Sequence, residues 1–247
     1  MGLADRRSQR LEAVAELSAS LAHEIKNPLA SIRSSVEQLA GDDLAPEDRY
    51  ILQRLVLSES DRLSRLLSEF LEFSGLRKGH TQSLDLAGLV TDAVRLAEAH
   101  PDVPHDAQVH LEVPDAGSVH LPGDADLLHR AVYNLVLNAL QFSGEGGRVR
   151  VDLSDARGNG SAADPPGEER PVRLTVQDSG PGIPDAESGR IFDPFFTTRS
   201  GGSGLGLAVV HRAVEAHQGL ITAGNAPGGG AEFVLHLPAD EVAAVDL

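Results

Sequence analysis

The sequence predicts two architectures in tandem: an antiparallel pair of long helices, then an α+β sandwich with one sheet covered by helices on one face. Three observations carry this. Between residues 11 and 74 the apolar residues recur at steps of three and four, the signature of amphipathic helices. The pattern breaks once, at GDDLAPED. After LRKGHTQS the texture changes to short alternating strands interleaved with helices, which is the pattern of a mixed α+β domain.

The first helix is read over Leu11–Leu39, with Leu11, Val14, Leu21, Ile25, Leu29, Ile32, Val36 and Leu39 on one stripe. Asp43 or Pro46 suits the start of the second, which runs to Ser74 and ends at Gly75, with Leu52, Leu55, Leu63, Leu66, Phe70 and Phe73 repeating in phase. A short turn between two such helices makes a hairpin, and a lone hairpin buries two apolar stripes poorly. Two copies forming a four-helix bundle bury them well, so a homodimer is expected.

Downstream, SLDLAGLVTDAVRLAEAH reads as a strand and a helix, and QVHLEVPDAGSVHLPGD as two strands. ADLLHRAVYNLVLNALQFS is a strongly amphipathic helix. RVRVDLSD and VRLTVQDSG are alternating strands, separated by ARGNGSAADPPGEERP, a Gly-, Pro- and charge-rich stretch expected to be a flexible hairpin loop. GLGLAVVHRAVEAHQG is a helix expected to end at Gly219, and LITAGNAPGGGAEFVLHLP a final hairpin. The boundaries read from these shifts are 1–77 for the hairpin, 78–83 for a linker, 84–240 for the sandwich and 241–247 for a tail.

Composition narrows the function. The 247 residues are 41% hydrophobic, enough for real cores, and only 4% aromatic. There is no cysteine, which excludes disulfides, thiolate metal sites and a cysteine nucleophile, and fits a reducing compartment. A formal net charge of -16 disfavours nucleic acid and anionic membranes as partners. No apolar run reaches the roughly 18–20 residues of a membrane span, and no signal peptide is read. A cytoplasmic location is expected, either for the whole protein or as the cytoplasmic part of a longer, membrane-anchored sensor.

Four segments hold polar or glycine residues that packing does not require. In LAHEIKNPLASI, His23 lies about 160° from the centre of the apolar arc at about 100° per residue. It faces away from the seam, with Asn27 one turn on and Glu24 beside it. Such a histidine is either an ordinary surface residue or a nucleophile, with Glu24 placed to fix the tautomer and stabilise developing charge. Pro28 removes a helical hydrogen bond, as a tolerated kink or a bend beside the nucleophile. Asn134 and Asn138 stand one turn apart on the amphipathic helix, either as surface residues or with a side-chain carbonyl for Mg²⁺. DSGPGIP follows a strand, placing Asp178 before Gly180 and Gly182. In GGSGLGLAVV, Gly202, Gly204 and Gly206 run into a helix N-terminus, where backbone amides can meet phosphate. Between them FDPFFTTRS reads as an irregular loop pinned by Phe, or as a lid that brings Thr197, Thr198 and Arg199 to a terminal phosphate.

In this order the motifs resemble those of the sensor histidine kinases. HEIKNPL resembles the H box, YNLVLNAL the N box, DSGPGIP the first glycine box, IFDPFFTTR the F box and GGSGLGL the second glycine box; the match spans roughly residues 11–238. The HEIKNPL and PFFTT wording is closest to the nitrogen-regulation and pilus-regulation type. The resemblance implies a dimerisation and histidine-phosphotransfer hairpin followed by an ATP-binding sandwich of the GHKL (Bergerat) type shared with gyrase, Hsp90 and MutL. It implies autophosphorylation on His23, assisted by Glu24, and transfer to an aspartate of a response-regulator receiver domain. Asn27 would position water for dephosphorylation of that partner. The implied nucleotide set is Asn134, Asn138, Asp178, Gly180, Gly182, Ile183, Phe192, Thr197, Thr198, Arg199, Gly202, Gly204, Leu205, Gly206 and Leu207. Asp178 would accept from the adenine amino group, and Asn138 would hold Mg²⁺ for ATP. Many relatives carry Lys or Arg where this chain has Gln141, so phosphate charge would fall to Mg²⁺, backbone amides and Arg199 or Arg130. The competing readings are an ATPase or serine kinase of the same nucleotide fold, which would lack the preceding hairpin, and a silent dimeric scaffold.

Overall fold

The computed structural model describes residues 3–41, 44–75, 79, 81–115, 117, 119–155, 172–199 and 202–238. The expected flexible loop after Asp155, the alternative helix start at Asp43 and the tail 241–247 lie outside the described residues. The chain divides into two compact units, residues 1–75 with 194–205, and residues 76–193 with 206–247.

In the first unit, helix α1 (Leu3–Leu39) and helix α2 (Pro46–Gly75) form the expected hairpin. Pro46 opens α2, where its missing N–H costs nothing, and Glu47 and Asp48 sit in the first turn, where the helix dipole favours negative charge. Helix α1 runs through Pro28, which is buried. Leu66 and Phe73 are buried in this unit. Other members of the apolar stripes, Leu29, Val36 and Leu55, are exposed, and so are Ile51, Leu67 and Leu71 outside the stripes. One hairpin therefore covers only part of its own apolar surface. Residues 194–199 and 202–205 are irregular, and the Phe195 N–H donates to the Gly204 carbonyl at 3.0 Å.

The second unit holds β1 (Gln82–Asp85), α3 (Leu86–Glu98), β2 (Gln108–Glu112), β3 (His120–Gly123), α4 (Ala125–Ser143), β4 (Arg148–Asp155), β5 (Val172–Asp178), α5 (Gly206–Ala216), β6 (Leu220–Asn225) and β7 (Ala231–Leu237). The main sheet has the order β2-β4-β5-β7-β6, antiparallel except for the parallel β2–β4 pair. The two strands read in succession as β2 and β3 belong to different sheets, since β3 pairs with β1. Helix α4 packs between α3 and α5 and lies on β4 and β5. The core between the layers is aliphatic, with Leu86 and Val90 of α3, Leu128 and Leu135 of α4, Val151, Leu174 and Leu235 all fully buried.

Local chemistry explains the element ends that shape the site. Asp124 caps α4, its Oδ1 accepting from the Leu127 N–H at 3.0 Å. Helix α5 ends at Ala216, earlier than the expected Gly219. Gln218 takes the left-handed conformation (φ 56°), and its N–H donates to the Glu215 carbonyl while that of Gly219 donates to Val214. This closure satisfies the last carbonyls of the helix. Gly219 is needed for space, because a Cβ there would lie 2.5 Å from the His236 carbonyl oxygen.

Candidate functional site

The first group of candidates sits on the hairpin. His23 and Asn27 are exposed and Glu24 is half-buried, as the helix phase predicts. Glu24 Oε2 lies 3.8 Å from a guanidinium nitrogen of Arg62 on α2. Arg62 reaches a second carboxylate, Glu59, at the same distance. A small cavity beside them is lined by Glu24, Arg62, Arg65, Leu66, Glu69, Gly202 and Ser203. Arg62 went unremarked in the sequence reading, because a polar residue inside an amphipathic helix carries no signal of what stands opposite it.

The loop 194–205 belongs to the same unit and contains Thr197, Thr198, Arg199, Gly202, Gly204 and Leu205. The Arg199 N–H donates to Thr197 Oγ1 at 3.1 Å, and the Gly202 N–H to the Arg199 carbonyl at 3.2 Å. Phe195 is buried at φ 66°, a conformation costly for a bulky side chain. Gly204 (φ +68°) could not carry a Cβ, which would collide with the Phe195 backbone. Leu205 is buried. The segment is irregular, and buried Phe195 anchors it.

The second group lies in the sandwich. The alternation Val172, Leu174, Val176, Asp178 on β5 directs all four residues inward, so Asp178 continues the core-facing phase at the strand end and is only 5% exposed. Its Oδ1 accepts two backbone bonds, from Gly180 at 2.8 Å and Ala231 at 3.0 Å. Both land on one oxygen, leaving Oδ2 for another donor. Burial, the largest influence, pushes the carboxyl above its ordinary range, while the Ala231 and Gly180 N–H groups pull the other way.

Glycines shape the walls. A Cβ on Gly180 would lie 2.6 Å from the Phe142 carbonyl oxygen, and one on Gly182 (φ +80°) 2.6 Å from Asn225 Oδ1. Asn225 clamps the loop at both ends of one residue: its Oδ1 accepts from the Ile183 N–H at 2.6 Å and its Nδ2 donates to the Ile183 carbonyl at 2.9 Å. Gly230 (φ +83°) lies directly against the Asp178 carbonyl, with no room for a Cβ. Asn225 and Gly230 were missed; GNAPGGG reads as an ordinary hairpin turn, and only the contact of Asn225 with Ile183 and of Gly230 with the Asp178 carbonyl reveals their place.

On α4, Asn134 donates from Nδ2 to the Arg130 carbonyl at 2.8 Å, and its Oδ1 lies near the Cα of Gly206, the first residue of α5. Asn138 is half-buried one turn on. Among the described residues nothing hydrogen-bonds its amide, so its oxygen is available to a hard cation. Leu207 packs against the core. Phe192 does so as well, with its ring 5.5 Å from that of His211 and 6.5 Å from that of Phe233. Among the described residues there is no cluster of three His, Cys, Asp or Glu suited to a metal ion, so a cation here would take most of its ligands from a substrate and water. Behind the site, buried His217 accepts through Nε2 from the Asp124 N–H at 2.9 Å and contacts the Ala213 carbonyl through Nδ1 at 2.7 Å.

Residues 13–79 match the His Kinase A (phospho-acceptor) domain, and residues 123–241 the Histidine kinase-, DNA gyrase B-, and HSP90-like ATPase family. Sensor histidine kinase ZraS of Escherichia coli K12 is 34% identical over 233 residues, which cover 94% of this chain and 47% of ZraS. The signal transduction histidine-protein kinase AtoS of the same organism is 32% identical over 94% of this chain and 36% of its own length. Among solved structures, histidine kinase ThkA in complex with response regulator protein TrrA aligns with TM-score 0.71 at 26% identity, over 96% of this chain and 65% of that one. Full-length ShkA in complex with AMPPNP aligns with TM-score 0.57 at 28% identity, over 91% and 45%. The chain carries a phospho-acceptor domain and an ATPase domain in tandem, and it belongs to the sensor histidine kinases. It spans about half the length of ZraS. Among the described residues no helix is long and apolar enough to cross a membrane.

Proposed function

We propose that this chain is the catalytic core of a sensor kinase that transfers the γ-phosphoryl group of ATP to His23 and then to an aspartate of a response-regulator receiver domain. The observation that carries the proposal is an exposed His23 on a helical hairpin, joined in one chain to a sandwich holding a buried, half-bonded Asp178. In the first step a ring nitrogen of His23 attacks the γ-phosphorus, the P–O bond to the β-phosphate breaks and ADP leaves. The proton on the other ring nitrogen passes to Glu24. The complex of ShkA with AMPPNP and that of ThkA with TrrA support ATP as donor and a receiver domain as acceptor.

Within the sandwich, Asp178 Oδ2 accepts from the adenine amino group, and Gly180, Gly182 and Ile183 let the backbone approach the base. Phe192 and Leu207 support the pocket wall from the core. Gly202, Gly204 and Leu205 shape the loop, and Thr197, Thr198 and Arg199 on it meet the phosphates. Gly206 opens α5 beside Asn134, and its position at a helix N-terminus suits an anion. The Asn138 amide oxygen would hold Mg²⁺, which would offset the phosphate charge. Asn27, on the face of His23, orients water for dephosphorylation of the regulator. The chain acts as a homodimer, because Leu29, Val36, Ile51 and Leu55 remain exposed on the isolated hairpin and a second copy covers them. It works on the cytoplasmic side, without membrane or nucleic-acid contact of its own.

Incubation with labelled ATP tests the proposal. Wild type should acquire an acid-labile label, since phosphohistidine is acid-labile, and His23→Gln should acquire none while binding ATP normally. Stoichiometric acid-labile labelling of His23→Gln would overturn the assignment, and an acid-stable label would favour a serine kinase.

A further inference from the structure

Arg62 stands where the proposed chemistry needs a positioned charge, and no motif of the chain includes it. It lies on α2, across the hairpin from the residue that follows His23. Its guanidinium reaches Glu24 at 3.8 Å and Glu59 at 3.8 Å. The three side chains are half-buried or better, 36%, 30% and 19% exposed for Arg62, Glu24 and Glu59. Leu66, one turn along α2, is buried beside them, while Arg65 and Glu69 line the same cavity.

Two carboxylates that share a half-buried space repel each other, and one of them then turns outward to water. A cation set between them removes that outcome. Ion pairs this exposed contribute little to folding stability. The consequence of this one lies in where it holds Glu24.

We infer that Arg62 is a positioning residue for autophosphorylation, holding the Glu24 carboxylate in place against the repulsion of Glu59. The inference rests on the function proposed above. Glu24 takes the proton from His23 as the P–N bond forms and the P–O bond to ADP breaks. Arg62 touches neither His23 nor the nucleotide in this step, and acts through Glu24 alone.

The test is a double-mutant cycle on the full chain, with the autophosphorylation rate and the ATP KM measured for wild type, Arg62→Gln, Glu24→Gln and the double variant. Arg62→Gln should lower kcat roughly 10- to 100-fold, within the range removed with a positioned acid–base group. KM for ATP should stay within about twofold of wild type. In the Glu24→Gln background the same change should alter the rate less than about twofold. Arg62→Lys should recover most of the loss, which decides the matter if the Glu24→Gln rate is too small to measure. An equal loss in both backgrounds, a failure of lysine to rescue, or an Arg62→Gln rate equal to wild type would each overturn the inference. Its failure is distinct from failure of the underlying function: absence of an acid-labile label on wild type removes the kinase reading, whereas normal labelling of Arg62→Gln removes only the role of Arg62.

Discussion

Replacing Asp178 by Asn separates what this residue does for nucleotide binding from what it does to folding. The ionised Asp178 Oδ2 is the proposed acceptor of the adenine amino group. Asn keeps an oxygen for the Gly180 and Ala231 N–H groups, so its Nδ2 must occupy the place of Oδ2, facing the adenine donor with another donor. A hydrogen bond to a charged group contributes about 1.5–3 kcal/mol, so nucleotide affinity should fall roughly 10- to 150-fold. Folding should respond in the opposite sense. Burial raises the folded-state pKa of Asp178 above its ordinary value, so the ionised side chain opposes folding at neutral pH. That opposition is complete above the raised pKa and fades as the pH falls through it toward the unfolded value near 3.8. The nucleotide-free variant should therefore melt no lower than wild type at pH 7, and any advantage should shrink as the pH approaches 4. Isothermal titration with a non-hydrolysable ATP analogue and thermal melts at pH 7, 5.5 and 4 measure both effects. Unchanged affinity would refute the adenine contact; a large loss of stability at pH 7 would refute the account of the buried charge.

Two further predictions concern the clamp and the exposed apolar residues of the hairpin. Asn225→Ala removes both bonds to Ile183; because Asn225 is exposed, the expected cost is about 1 kcal/mol of stability, with nucleotide affinity roughly fivefold lower as the 180–183 loop loses its restraint. Denaturant unfolding and the same titration report these, and no change in affinity would mean that the clamp serves the fold only. Val36→Glu with Ile51→Glu, at positions 50% and 61% exposed on the single hairpin, should weaken dimerisation roughly tenfold or more per substitution. Sedimentation analysis checks this, and an unaltered dimer would place the interface elsewhere.

Periodicity made much of this molecule legible. The three-and-four spacing of apolar residues is enough to set which side of α1 faces a neighbour, because helix geometry is local. The same spacing leaves His23 and Asn27 outside. Strand alternation likewise carries Asp178 inward after Val172, Leu174 and Val176. Motif order identified the two domains, since each box lies in one short stretch whose chemistry does not depend on distant residues.

Facing partners were decided only by the tertiary structure. Asn225 holds Ile183 from 42 residues away, Gly230 lies against the Asp178 carbonyl, and Arg62 meets Glu24 across the hairpin. Strands β2 and β3, consecutive in sequence, entered different sheets because their pairing partners, β4 and β1, lie on opposite sides of them in the chain. Periodicity states which face a side chain occupies, but what stands opposite depends on packing angle, register and crossover, and these are settled by the whole core at once. The outward placing of His23 was thus local information, while the arrangement of charge around Glu24 became visible only when α2 was laid against α1.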